Sequence, residues 1–214
     1  MFVIWAAATG GAVHALDAGN SPGAAALASL LAGKQSYYAN FSQQLRDSEG
    51  QLVDESSGWM AWQRPASFRW EINAPLAQTL LVKGEIYYQY DRDLEQMLVQ
   101  PLSDDVAMLP RLLLEGDASA IAARYQVEAV VALPVTDGAS ARGAAPQLFR
   151  LQPRGEAGLF SELLLEFRGE NLQAINITDD MQQNSRFEFS KQSGEVEANF
   201  FDVEPAPGTE IIHQ

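Results

Sequence analysis

Apolar positions along this chain repeat at two different periods. Between Ser21 and Gly33, Leu27, Leu30 and Leu31 fall at i, i+3 and i+4, which predicts a helix of about three turns. Ser21 is the expected N-cap, Pro22 takes the first helical position, and Gly33 is placed to end the helix. From Tyr37 onward the period drops to two. Ala39, Phe41, Gln43 and Leu45 alternate with Asn40, Ser42, Gln44 and Arg46, and Asp47-Ser48-Glu49-Gly50 reads as a hairpin turn. The chain returns through Gly58-Trp59-Met60-Ala61-Trp62, after which Phe68, Trp70 and Ile72 alternate with Arg69 and Glu71. Strand-like runs follow at short intervals over residues 79–83, 85–90, 94–100, 124–133, 147–152, 159–168, 172–178 and 186–190. Such spacing predicts an antiparallel meander, because parallel strands need crossovers of about a dozen residues or more.

One segment interrupts the strands. Residues 104–115, with Met108, Leu109, Leu112, Leu113 and Leu114, predict a short apolar helix split by Pro110, and a second helical piece is expected over 118–123. The Gly- and Ala-rich stretch 137–146 is the expected flexible loop. No linker divides the chain and no internal repeat is present, so a single domain is expected. A sheet of some ten strands curls, and its concave face must be filled or covered. The two Leu-rich helices are natural covers. Periodicity alone leaves open whether they close over a cavity or a solid core.

Composition narrows the function. The 214 residues carry 14 cationic and 28 acidic side chains, a net charge of −14. That excludes nucleic-acid binding, which is built from Lys and Arg neutralising phosphates, and attraction to an anionic membrane surface. With no cysteine, disulfides, thiol catalysis and thiolate metal sites are excluded as well. The two histidines, His14 and His213, lie near the ends. No phosphate loop, nucleophile elbow or metalloprotease motif occurs, so no cofactor, no metal and no catalytic residue are expected. Asp91, Asp93 and Glu95 could face a hard cation, but a solvated hairpin end is the expected reading. Arg64 stands between Trp62 and Pro65 in an apolar stretch. Its guanidinium is either a sheet-edge surface group or one that must find backbone carbonyls or a carboxylate.

At the N-terminus an apolar stretch precedes Val13-His14-Ala15, a small-x-small pattern. A signal peptide over residues 1–15, cleaved after Ala15, is expected, leaving a mature domain over 16–214. No Lys or Arg precedes Lys34, so the usual charged leader start is missing.

Several segments together resemble the outer-membrane lipoprotein carrier protein family (LolA). Ser36-Tyr37-Tyr38-Ala39-Asn40-Phe41-Ser42-Gln43 is similar to the family's aromatic-x-A-x-F-x-Q start. The run from Gly58 to Trp70 is similar to its most specific pattern, G-x-x-W-x-x-R-P-x-x-F-x-W. Tyr90 to Gln96 resembles the Y-D-x-x-L-x-Q strand, Pro110 with Leu112–Leu114 resembles the lid helix, and Phe200 to Ile211 resembles the proline-containing terminus. Departures are local: Lys83-Gly84 stands for Asp-Gly, Tyr88 for a frequent Trp, and Ala206 interrupts the double proline. The resemblance implies a mainly β fold, a single-domain incomplete antiparallel β-barrel of about ten to eleven strands with helices as a lid over a hydrophobic cavity. It implies a monomeric, non-enzymatic periplasmic carrier of acylated lipoproteins, loaded by an inner-membrane ABC transporter and unloaded to an outer-membrane lipoprotein receptor. Arg64 is then expected to latch the lid, and Phe68, Trp70, Trp62, Leu31, Leu112 and Leu113 to contact acyl chains. The alternative from another class is a periplasmic lipid-binding sensor domain of the same fold.

Overall fold

Ser21 does cap the first helix. Its side chain accepts a hydrogen bond from the Ala24 N–H, Pro22 opens α1 (Pro22–Ala32), and Gly33 closes it. The computed structural model describes residues 21–103, 108–131, 146–155 and 160–214. The expected cleavage after Ala15, and the expected loop at 137–146 apart from Pro146, lie outside these residues.

Alternation then produces a meander: β1 (Ser36–Arg46), β2 (Leu52–Gln63), β3 (Ser67–Ala74), β4 (Gln78–Lys83), β5 (Ile86–Asp91) and β6 (Gln96–Pro101). Two short helices follow, α2 (Met108–Glu115) and α3 (Ala118–Arg124), the latter capped by Asp117. Pro110 does not split α2. The helix runs unbroken through it from Met108 to Glu115. The sheet resumes with β7 (Tyr125–Val131), β8 (Pro146–Pro153), β9 (Glu162–Arg168), β10 (Asn171–Thr178) and β11 (Asn184–Ser193), and ends with β12 (Glu210–His213).

Among the described residues these form one twelve-stranded sheet, ordered β12-β6-β5-β4-β3-β2-β1-β11-β10-β9-β8-β7. β12 adds a strand to the expected ten or eleven, and it pairs parallel with β6. The parallel pairing is possible because residues 194–209 give the chain a long path back to that edge.

The sheet is strongly curled. β1 and β2 lie between β3 and β11, so a flat sheet would hold those two roughly 14 Å apart, at ~4.8 Å per strand. Yet the Trp70 and Phe187 rings meet edge to face with centroids 5.0 Å apart, and Trp70 also packs 4.5 Å from Phe41. A local device helps: β2 and β3 slip register at Ser57/Gly58, and a Cβ on Gly58 would fall 1.8 Å from the Glu71 carbonyl oxygen. The edges β12 and β7 are not paired to each other, so the barrel is incomplete.

The convex face has its own brace. Phe201, in a 3₁₀ turn at Ala198–Phe201, packs with Ala61 and Leu81, while Phe200 sits edge to face on Trp59. Glu71, buried beneath this segment, accepts from Arg69 Nη2 at 2.8 Å, Thr79 Oγ1 at 2.8 Å and Arg92 Nη2 at 2.7 Å. Arg69 in turn donates to the carbonyls of Phe200 and Asp202. Glu71→Ala strips three donors of one acceptor; because Arg92 is partly solvated, the expected cost is at the low end for a broken buried pair, about 3 kcal/mol. Urea unfolding should show the loss as a lower midpoint at unchanged slope, and a change below about 1 kcal/mol would contradict the brace.

Candidate functional site

Toward the β2–β3 turn the concave face is covered by α1 and α2. A cavity of ≈ 530 Å³ runs along it from Phe68, Val82 and Tyr87 near that turn to Gln43, Ile72 and Ile177 near the opposite end of the strands.

Alternation on three consecutive strands supplies one wall: Phe68, Trp70 and Ile72 from β3, Leu80 and Val82 from β4, and Tyr87 with Gln89 from β5. Their phase is locked by register, with Phe68 opposite Val82 and Trp70 opposite Leu80. Phe187 from β11, Ile177 from β10 and Gln43 from β1 form the far wall, and Leu109 and Pro110 from α2 hang over it. Two glutamines and the Tyr87 hydroxyl, which donates to Gln89, are the polar groups of an otherwise hydrocarbon lining. Burial pushes the Tyr87 phenol up to about 12, so it stays a neutral donor.

Arg64 follows β2 and reaches under both helices. Its Nε donates to the Lys34 carbonyl at 2.9 Å, and its Nη2 donates to the carbonyls of Leu31 at 3.0 Å and Leu113 at 3.3 Å. Those carbonyls lie at or beyond the C-terminal ends of α1 and α2, where the last helical carbonyls lack intrahelical donors and the helix dipole is negative. The cation therefore satisfies two helix ends at once. It also lies over the Trp62 ring, 5.4 Å from its centroid, and partial burial lowers its pKa. Gly116, next after α2, has φ +56, and a Cβ there would come within 2.7 Å of Arg64 Nη2.

The residues expected to contact acyl chains are thus not all together. Phe68 and Trp70 line the open cavity. Trp62, Leu31 and Leu113 surround a separate void of only ≈ 10 Å³ beside Arg64, and Leu112 is buried in the core. Sequence reasoning missed Leu80, Val82 and Tyr87, although the two-residue Gly84-Glu85 turn would have given their register. Ile177 and Phe187 had no such signal, because only the curl of the sheet brings them opposite β3. Asp91, Asp93 and Glu95 make a hairpin end, in which the Asp91 carboxylate accepts from the N–H groups of Asp93 and Leu94.

Tyr37 carries a further consequence of the closed helices. It is 4 % exposed, stacked on Trp62, and its hydroxyl has no hydrogen-bond partner in the void. Burial raises its pKa, so the phenol remains neutral. Tyr37→Phe is expected to raise stability by about 1–3 kcal/mol, the range for a buried polar group left unpaired. Thermal melting checks this, and an unchanged or lower melting temperature would show that the hydroxyl is satisfied.

The sequence carries this geometry in a recognisable form. The family model described as outer membrane lipoprotein carrier protein LolA matches residues 32–204. An outer-membrane lipoprotein carrier protein of Chromohalobacter salexigens is 36% identical over 90% of this chain and 87% of its own length. A protein of the same name from Hahella chejuensis is 32% identical over 91% of this chain and 90% of its own length. Among solved structures, an uncharacterized conserved protein from Thermus thermophilus shares the fold, with a TM-score of 0.54 at 10% identity over 88% of this chain and 98% of that one. With its R-P-x-x-F-x-W run at the base of an aromatic cavity, the chain belongs to the outer membrane lipoprotein carrier (LolA) family.

Proposed function

We propose that this chain is a periplasmic carrier of acylated lipoproteins, taking them as a monomer from an inner-membrane ABC transporter and passing them to an outer-membrane lipoprotein receptor. The observation that carries this reading is an apolar cavity overhung by a short helix whose far end is held by one arginine. Relatives covering nearly the whole chain carry the carrier's name.

Physics sets the task. Each buried CH₂ contributes ~0.8 kcal/mol, so one long acyl chain loses roughly 10 kcal/mol on entering water. A cargo with several chains cannot cross an aqueous space unaided, and the cavity stands in for the bilayer. The cavity must widen for such a cargo, and α2 is suited to move. At eight residues it is too short to be stable by itself, and few contacts join it to α1 or α3. Opening breaks the Arg64–Leu113 bond, and re-forming it on emptying favours release. No step requires catalysis.

Two variants test the reading in paired assays, loading from inner-membrane vesicles and transfer to purified receptor, with melting curves alongside. Charged hydrogen bonds contribute about 1.5–3 kcal/mol each, so Arg64→Leu should shift the lid toward open by ten- to a hundredfold. It should load normally and release poorly; normal transfer, or a loss explained wholly by unfolding, would remove the latch role. Phe68→Glu places a carboxylate against the cavity wall and should abolish loading while the sheet stays folded. Wild-type loading by a well-folded Phe68→Glu protein would place the acyl site elsewhere. Wild-type protein that takes up free lipid but no lipoprotein would instead favour a sensor domain.

A further inference from the structure

Packing does not explain the Tyr37 hydroxyl. The ring is 4 % exposed and stacked on Trp62, a place a phenylalanine would fill as well, yet its O–H finds no acceptor. Tyr38, Tyr87 and Tyr90 each have a partner, in Asn40, Gln89 and Thr209. The void beside Tyr37 is walled by hydrocarbon from Leu31, Leu113, Phe167 and Leu172. Lys34, its other polar neighbour, carries donors only and cannot receive the phenolic proton. At ≈ 10 Å³ the void is at the lower limit of the space one water needs, about 10–15 Å³. An orphaned donor inside a carrier is a place for the cargo to supply the acceptor.

Register joins this donor to the cavity. Tyr37 lies opposite Trp62, Trp62 opposite Phe68, Phe68 opposite Val82 and Val82 opposite Tyr87, one row across five strands. Phe68, Val82 and Tyr87 line the cavity, whereas Tyr37 and Trp62 lie in the void. α2 spans both spaces: Leu109 and Pro110 overhang the cavity, while Leu113 walls the void and gives its carbonyl to Arg64. Movement of α2 that breaks the Arg64 bond therefore removes a wall of the void and uncovers a track from Tyr87 to Tyr37. On their outer side Tyr37 and Lys34 border a polar groove of ≈ 400 Å³, with Gln35, Ser36, Asn171 and Gln192. The phenol stands where an apolar track meets a polar exit.

Chemistry selects the acceptor. Every acyl chain, joined as an ester or as an amide, begins in a carbonyl with hydrocarbon on one side and polar atoms on the other. Seated with its chain toward Phe68 and its head toward the groove, it brings that carbonyl to the phenol. We infer that the Tyr37 hydroxyl donates a hydrogen bond to the first carbonyl of a bound acyl chain, and so distinguishes acyl groups from plain hydrocarbon. The inference rests on the carrier reading and names the atom of the cargo that the site recognises.

Displacement of an apolar fluorescent dye gives the affinities of wild-type protein and Tyr37→Phe for methyl laurate, N-methyl lauramide and tridecane. The alkane senses packing and lid movement, and the carbonyl probes sense these and the phenol. The ratio of affinities, each corrected for the probe's partition out of water, therefore isolates the bond. Wild-type protein should favour a carbonyl probe over the alkane, and Tyr37→Phe should reduce that preference about tenfold. The probe whose preference falls further, ester or amide, identifies the linkage that is read. The carbonyl stretch of that probe, isotope-labelled, should lie at lower frequency on wild-type protein than on Tyr37→Phe, a signature that a purely structural tyrosine does not give. Tyr38→Phe, which alters a hydroxyl already bound to Asn40 on the convex face, should change neither reading. A Tyr37→Phe protein with either reading like wild type, or a Tyr38→Phe protein with the same loss, would overturn the assignment. Failure of the carrier reading looks different: wild-type protein then binds none of the three probes, the alkane included, and the Tyr37 assignment falls with it.

Discussion

Arg64 is the point on which the closed form depends. Two helices end within reach of a single guanidinium, and a helix end is where backbone carbonyls lack donors. Nε and Nη2 take the carbonyls of Lys34, Leu31 and Leu113, and so fix α1 and α2 relative to each other and to the β2–β3 turn. The apolar faces of the helices cannot do this alone. Hydrophobic burial is non-directional and would be served nearly as well by a slightly shifted helix, whereas three carbonyls converging on one planar cation fix a position. α2 itself runs only from Met108 to Glu115, so its place is set by this end contact and by Gly116 passing close beneath the guanidinium.

A cavity left open on the concave side shifts the burden of stability to the rest of the molecule. Side chains facing ≈ 530 Å³ of unfilled space lose the packing contacts that a solid core would give. The convex side offsets part of that loss, with the chain after β11 laid across β2, β3 and β4 and held by Phe201, Phe200 and the Arg69–Glu71 pair. The under-lid region follows the opposite logic. Leu31, Trp62, Leu113, Phe167 and Leu172 close to within ≈ 10 Å³ of perfect contact and leave the Tyr37 hydroxyl unsatisfied among them. The concave face thus combines a polar latch over a packed base with an apolar cavity beside it.

Sequence by itself determined the local elements. Period-two alternation marked most strands, Ser21, Pro22 and Gly33 marked α1, and the turn at Asp47–Gly50 closed as expected, with the Gly50 N–H on the Asp47 carbonyl. These are short-range effects, set by backbone and side-chain geometry within a few residues. It also put Phe68 and Trp70 on one face of a strand whose other face carries Arg69 and Glu71, while the expectation that they contact acyl chains came from the resemblance to the family. What only the tertiary structure decided depends on residues distant in the chain. Whether the concave face was filled or hollow rested on how far the sheet curls, which no single strand encodes. That Trp62, Leu31 and Leu113 lie under the latch and not in the open cavity follows from where α1 and α2 settle along the strands. The partners of Arg64 were likewise out of reach, since a backbone carbonyl has no signature in the sequence: any residue carries one, and folding alone selects Leu31, Lys34 and Leu113 to receive the cation.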